Sequence, residues 1–292
     1  MRDFIWITAI ILLLIFLAGC TIPGTNIELP EPGGGITPTT GGTGLSVSLS
    51  TDKSEVKTGE PATFIATIKN LASEDAMNIV AKLNLTGWTV TNPIQTLSLL
   101  PSGGGYKFSW VLYAPNETSS FSSVVDVFYE MQTKKSIGVR IYDNDYLNTL
   151  SEDKRKEIGE SSALQSETGS MNTPIAISVS LQQPFILTQD TQEFPFVITI
   201  QNIGSGETYN PSANYQSLDE NLKNKVVFSY SGNYLTCDEP SGSTITLVDG
   251  SKGIACRFIV SKGDVANSLD TTANFTVNYA YLTRGTTTIK VV

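Results

Sequence analysis

A period of two constrains the fold of this chain more than any other feature. Phe64, Ala66 and Ile68 share one parity, as do Phe108, Trp110 and Leu112, and then Val125, Val127 and Tyr129. Val47 and Leu49 alternate with serines in the same way. Successive side chains of an extended chain point to opposite faces, so alternation over short runs describes half-buried antiparallel strands. Turn-forming residues punctuate the runs at Lys57–Pro61, Thr91–Pro93, Pro101–Gly105 and Ala114–Asn116. With no long amphipathic helix between them, strands at this spacing predict a β-sandwich over residues 45–142.

The opening of that segment recurs. A shift of 132 positions lays Phe64-x-Ala66-x-Ile68-x-Asn70-x-x-Ser73 on Phe196-x-Ile198-x-Ile200-x-Asn202-x-x-Ser205, and Asn78 then falls on Asn210. Asn at the end of each strand tolerates left-handed geometry and can bond its own backbone in an Asx-turn. Later strands are predicted at Val226–Tyr230, Thr244–Leu247, Ile254–Val260, Asn274–Leu282 and Thr286–Val292. They complete a second sandwich over residues 173–292, and 292 residues suit about two domains. The expected fold is therefore all-β, two tandem sandwiches in sequence. Between them, residues 143–172 are polar and acidic. Ser151-Glu152-Asp153 predicts a short helix running through Ile158 and limited by Gly159. Such a linker leaves the two sandwiches free of rigid fusion.

The amino terminus carries an address. Phe4 to Gly19 contains no charge and only Thr8 as a polar residue, and Leu17-Ala18-Gly19-Cys20 closes it. As a helix these residues reach ~24 Å at ~1.5 Å each, short of a ~30 Å hydrocarbon core. They suit the apolar region of a signal segment better than a stable span. Leu17–Cys20 resembles the lipobox of secreted lipoproteins. That resemblance implies removal of residues 1–19, a lipid on the Cys20 thiol, and a protein anchored to the outer face of the cytoplasmic membrane. An uncleaved anchor helix is the other reading, and it places the remainder on the same side. Residues 20–44 hold four prolines and the runs Gly33-Gly34-Gly35 and Gly41-Gly42. This is a flexible tether, and 24 residues of it span about 27 Å end to end as a random coil.

Lys57-Thr58-Gly59-Glu60-Pro61 followed by Ile65–Asn70 resembles the opening of CARDB-like and archaeal S-layer-associated Ig-like domains. Gly87-Trp88-Thr89-Val90, Leu99-Leu100-Pro101-Ser102-Gly103 and Phe108–Tyr113 before Ala114-Pro115 continue the likeness. It covers most of residues 45–142 and less of 173–292, where the Gly-Trp step is missing and Asn214–Lys225 is inserted. The resemblance implies extracellular adhesion or spacer modules of seven strands. These motifs encode turns and core, so they specify fold far better than function.

Composition removes whole classes of chemistry. There is no histidine, which excludes Ser-His and Cys-His nucleophiles and imidazole metal ligands. Net charge is −9, with no basic patch to neutralise phosphates, so nucleic acid is not an expected partner. Carboxylate-only hydrolysis needs two carboxyls facing one cleft, whereas Asp219-Glu220 and Asp238-Glu239 are adjacent pairs in predicted loops. The chain is not expected to be an enzyme.

If Cys20 is lipidated, Cys237 and Cys256 remain as a pair in an oxidising compartment, flanked by strand-like runs. A disulfide is expected there, and two buried free thiols are the alternative. Asp143 and Asp145, in Asp-Asn-Asp, offer oxygens for calcium, and the same triplet is an ordinary turn sequence. Tyr209, Tyr215 and Tyr234 are candidates for stacking a carbohydrate, against the plainer role of strand tyrosines. Asn84, Asn116 and Asn274 each begin an N-glycosylation sequon, with Asn116 in a predicted loop. Together these features suggest a non-catalytic, lipid-anchored surface protein. Its partners would be the membrane and other cell-envelope proteins. The alternative is an extracellular glycan- or small-ligand-binding lipoprotein acting with a membrane partner.

Overall fold

The computed structural model describes residues 43–181 and 184–292. Cys20, the leader and residues 20–42 of the tether lie outside the described residues. The first half of the chain folds as β1 (Leu45–Thr51), β2 (Glu55–Val56), β3 (Pro61–Asn70), β4 (Ala76–Leu85), β5 (Ile94–Leu100), β6 (Gly105–Tyr113) and β7 (Ser120–Asp143). Two helices follow, α1 (Asn144–Thr149) and α2 (Glu152–Glu160). Then come β8 (Leu164–Gly169), β9 (Ile175–Ser180), β10 (Phe185–Leu187), β11 (Thr191–Asn202) and β12 (Glu207–Tyr209). The chain closes with β13 (Lys225–Ser231), β14 (Leu235–Cys237), β15 (Ser243–Thr246), β16 (Ser251–Ser261) and β17 (Ser268–Val291). No helix among the described residues is long and apolar enough to cross a membrane.

Side-chain parity builds the layers. Along β3, Phe64, Ala66 and Ile68 are buried, and along β6 so are Phe108, Trp110 and Leu112, while Lys107, Ser109 and Val111 face out. Pro61 opens β3, where a proline's missing N–H is tolerated. Gly87 has φ +81°, which delivers Trp88 beneath the sheet, edge-on to Phe64 at 5.5 Å and to Phe121 at 6.2 Å. A three-stranded sheet, β1-β3-β6, forms one layer. A four-stranded sheet, β14-β16-β11-β9, forms another. Both pack against a ten-stranded sheet whose main path is β15-β13-β17-β7-β4-β5, an open sheet with two edges rather than a barrel.

That large sheet changes the expected relation between the halves. β7 and β17 are 24 residues each and pair antiparallel from Ser120↔Lys290 to Tyr142↔Ser268. The first part of β7 and the last part of β17 back the β1-β3-β6 layer, and the remaining parts back the other layer. Gly285 permits the close approach of β1, since a Cβ there would lie 3.0 Å from Val47 Cγ1. Met131 pairs with Tyr279, and the two strands are offset by 148 positions, so these two residues correspond in the repeat and face one another. The repeated halves are thus related by a pseudo-twofold axis through the middle of a shared strand pair. Each half lends its last strand to the other.

The expectation of sandwiches joined only by a flexible linker is therefore corrected. Residues 143–172 contain not only the expected helix but also β8, which pairs with β7. Helix α2 begins after Ser151 as expected, though the Ser151 side chain makes no capping bond, and it runs past Gly159 to Glu160. The predicted strands Asn274–Leu282 and Thr286–Val292 are one continuous strand. Arg284-Gly285-Thr286 reads as a turn in isolation, but here it is held flat by its ladder to Val124–Asp126.

A tyrosine cluster marks the axis. Tyr129 and Tyr281 sit opposite one another with ring centroids 5.9 Å apart, and Tyr279 stands 6.4 Å from Tyr281. The Tyr129 hydroxyl accepts from Leu45 N (3.2 Å), and Tyr281 accepts from Gly206 N (2.8 Å) while donating to Asn202 Oδ1 (3.1 Å). Thr133 Oγ1 lies 3.2 Å from the Tyr279 hydroxyl and donates to Ile175 O. Burial pushes all three phenols above the ordinary tyrosine pKa, so they are neutral hydrogen-bonding groups.

Candidate functional site

The Cys237–Cys256 disulfide is present, bridging facing positions on β14 and β16. Both residues are buried, so the bond is part of the second sandwich's core.

A broad concavity lies on the outer face of the shared sheet. β12 and β13 both pair with β17, and the chain between them, 210–224, folds back over the sheet. This excursion opens at Asn210, the position that matches Asn78 in β4. There β4 carries a bulge between Met77 and Val80, with Asn78 at φ +51°. One copy thus accommodates the irregularity as a bulge, and the other expands it into a flap. Beneath the flap, Phe128, Tyr209, Ala213, Ala280 and Leu282 form a small core of their own, with Val80, Tyr215, Leu218 and Leu222 against it.

A charged network rims this core and the cleft of about 690 Å³ beside it. Asp126, from β7, accepts from Tyr215 Oη (3.0 Å), Asn84 Nδ2 (2.8 Å) and Arg284 Nε (2.9 Å). Arg284 reaches on to Glu207 Oε1 (3.3 Å), whose other oxygen accepts from Tyr209 Oη (2.8 Å) and pairs with Lys223 (3.2 Å). Burial opposes the charge on Glu207, but the bonds from Tyr209 and Lys223 outweigh it and hold the carboxyl below its usual range. Burial also opposes the charge on Arg284, yet Asp126 and Glu207 keep it firmly protonated. Tyr215 is pushed up, first by burial and then by Asp126. Glu207 is thus held ionised and the Tyr209 and Tyr215 phenols are held protonated near neutrality. The network ties together β7, β12, β17 and the flap.

The other sequence candidates scatter. Tyr209 is 3% exposed with its ring 6.1 Å from Phe128, so its face is core and unavailable for stacking. Tyr215 is half-buried over the same phenylalanine. Tyr234, with φ +64°, lines a different cleft with Gly232, Asn233 and Asp270. The structure brings two of the three tyrosines together, and neither forms an open platform. Asp143 caps α1, its Oδ1 accepting from Asp145 N (2.8 Å), while Asp145 pairs with Lys262. A lysine thus stands where a cation was expected to be held, and no metal-sized cluster of acidic or cysteine ligands occurs among the described residues. Of the sequons, Asn84 is bonded into the Asp126 network, Asn274 lies in the middle of β17, and Asn116 is in an exposed loop. The Asp126–Arg284–Glu207 network left no trace in sequence, since its members are far apart along the chain. The flap alone was visible, as an insertion.

No protein-family model and no curated protein matches this sequence. Among solved structures, it is similar to the C-terminal globular domain of an oligosaccharyltransferase from Pyrococcus abyssi. Identity there is 7% over 88% of this chain and 53% of that one, with a TM-score of 0.26. It is also similar to the sporulation control protein Spo0M from Bacillus subtilis, at 11% identity over 56% and 76%, TM-score 0.20. A PapD-like domain of human CEP192 matches at 13% identity over 28% and 70%, TM-score 0.18. Likeness at this level carries no inference about function.

Proposed function

We propose that this chain is a lipid-anchored, non-catalytic cell-surface protein whose fused Ig-like sandwiches make protein contacts in the cell envelope. The observation that carries the reading is the lipobox-like Leu17-Ala18-Gly19-Cys20, followed by a Pro/Gly tether and then an all-β body. The disulfide is compatible with a compartment outside the cytoplasm. The absence of histidine argues against imidazole acid–base chemistry, and Glu207 in the cleft is held ionised by its partners. A shared sheet makes the two sandwiches one stiff body, suited to presenting a continuous surface to a partner.

Crosslinking on intact cells, followed by identification of the attached proteins, tests this. Recovery of neighbouring envelope proteins is expected. A protein that resists surface crosslinkers and fractionates with the cytosol would overturn it.

A further inference from the structure

We infer that Asn116 is the N-glycosylated residue of the folded protein, and that its first sugar lies over exposed Val111 and Tyr113 beside half-buried Pro115. The inference rests on the surface location proposed above. Asn84, Asn116 and Asn274 all begin sequons, but the fold treats them differently. The Asn84 amide already donates to Asp126 Oδ2 at 2.8 Å, beneath Tyr215 and beside Arg284. Asn274 is exposed, yet its backbone is clamped between Ser136 on β7 and Ser231 on β13. Drawing either into a transferase would break a network or a central ladder. Asn116 sits on the β6–β7 loop, which is pinned at its base: Ala114 N donates to Glu60 O, and Val291 N to Ser119 O. Asn116, Glu117 and Thr118, between these points, are exposed and free to enter another protein's active site.

The second observation is apolar. Val111 is 64% exposed and Tyr113 69%, on the outer side of an edge strand where no described residue covers them. Both line a hollow of about 390 Å³ together with Thr89, Pro115 and Asn116 itself. The wall of Val111 and Tyr113 suits the C–H face of a pyranose, and Thr89 and Thr91 across the hollow offer hydroxyls to its polar edge. One attached to Asn116 begins inside it.

The chemistry requires a polyisoprenoid-phosphate- or pyrophosphate-linked saccharide and its transferase. Asn116 Nδ2 forms a bond to the anomeric carbon. The C1–O bond breaks with its electron pair leaving on the phosphate, and one amide proton passes to a base of the transferase. The amide keeps its other hydrogen.

The test uses full-length protein purified from its native host, with intact-mass and glycopeptide measurement. A mass increment on the Asn116 peptide is expected. It should vanish in Asn116→Gln and in Thr118→Ala, which leaves the asparagine in place, and persist in Asn84→Gln and Asn274→Gln. Thermal midpoints test the seat. Loss of the sugar should lower the midpoint by about 2 °C, and this difference should disappear in a Tyr113→Ala background. A bare Asn116, or an increment on Asn84 or Asn274 instead, overturns the assignment. A glycan whose effect on the midpoint is the same with and without Tyr113 overturns the seat. Protease shaving of intact cells runs alongside. Surface-exposed protein with a bare Asn116 defeats this inference alone, whereas protected protein defeats the location as well.

Discussion

Asn70 and Asn202 hold the same turn in the two halves. Asn70 is fully buried; its Nδ2 donates to Glu74 O (2.9 Å) and Leu100 O (3.1 Å), and its Oδ1 accepts from Ala72 N (3.0 Å). Asn202 donates to Gly206 O and accepts from Gly204 N, with the Tyr281 hydroxyl added. The repeat predicted an Asx-turn at each, and both exist, because a short local bond of this kind is written in neighbouring residues. Asn70→Ala would orphan three backbone groups, and buried groups left unpaired are costly. We expect a loss of about 3 kcal/mol in urea denaturation from that change. The disulfide is testable in the same assay. Cys237 and Cys256 close a loop of 19 positions, and reduction should cost about 3 kcal/mol in the chain-entropy picture. A reduced protein with an unchanged midpoint would show that the bond adds nothing to the core around it.

At the scale of elements, the flap over the shared sheet depends on charge. Glu207 has a depressed pKa in the folded protein, so it stabilises the fold above the carboxyl's unfolded value of ~4.3. That contribution is lost as pH falls through the lower folded value. Stability should therefore decline in the acid range, and Glu207→Gln should be less stable at neutrality with a shallower decline below about pH 4.3. Equal acid slopes for both proteins would contradict this. Tyr215→Phe removes one of three donors to Asp126 and should cost about 1 kcal/mol. Short strands of strict alternation were legible in the sequence, together with their turns. The length of β7 and β17 was not. Through Gln132–Ser136 the apolar alternation lapses, and these residues are held instead by Thr133 bonding at the axis and by Lys134 and Lys135 pairing with Glu74 and Glu167. Such partners lie far away in sequence, and no local pattern records them.

For the whole molecule, the exchange of β7 and β17 makes the two halves mutually dependent. Without Tyr279–Lys290, the first half would present Val125, Val127 and Tyr129 on an uncovered edge. We expect a single cooperative transition in calorimetry, and no stable fold for residues 45–142 expressed alone. Two separated transitions, or a well-folded fragment, would restore the picture of independent beads. The proposed surface location rests on the amino terminus, and the most direct measurement is the mass of the native amino-terminal peptide. A membrane-fraction chain that starts at Cys20 with a lipid on its sulfur is the expected result. A soluble chain retaining Met1, with Cys20, Cys237 and Cys256 all as free thiols, would contradict it.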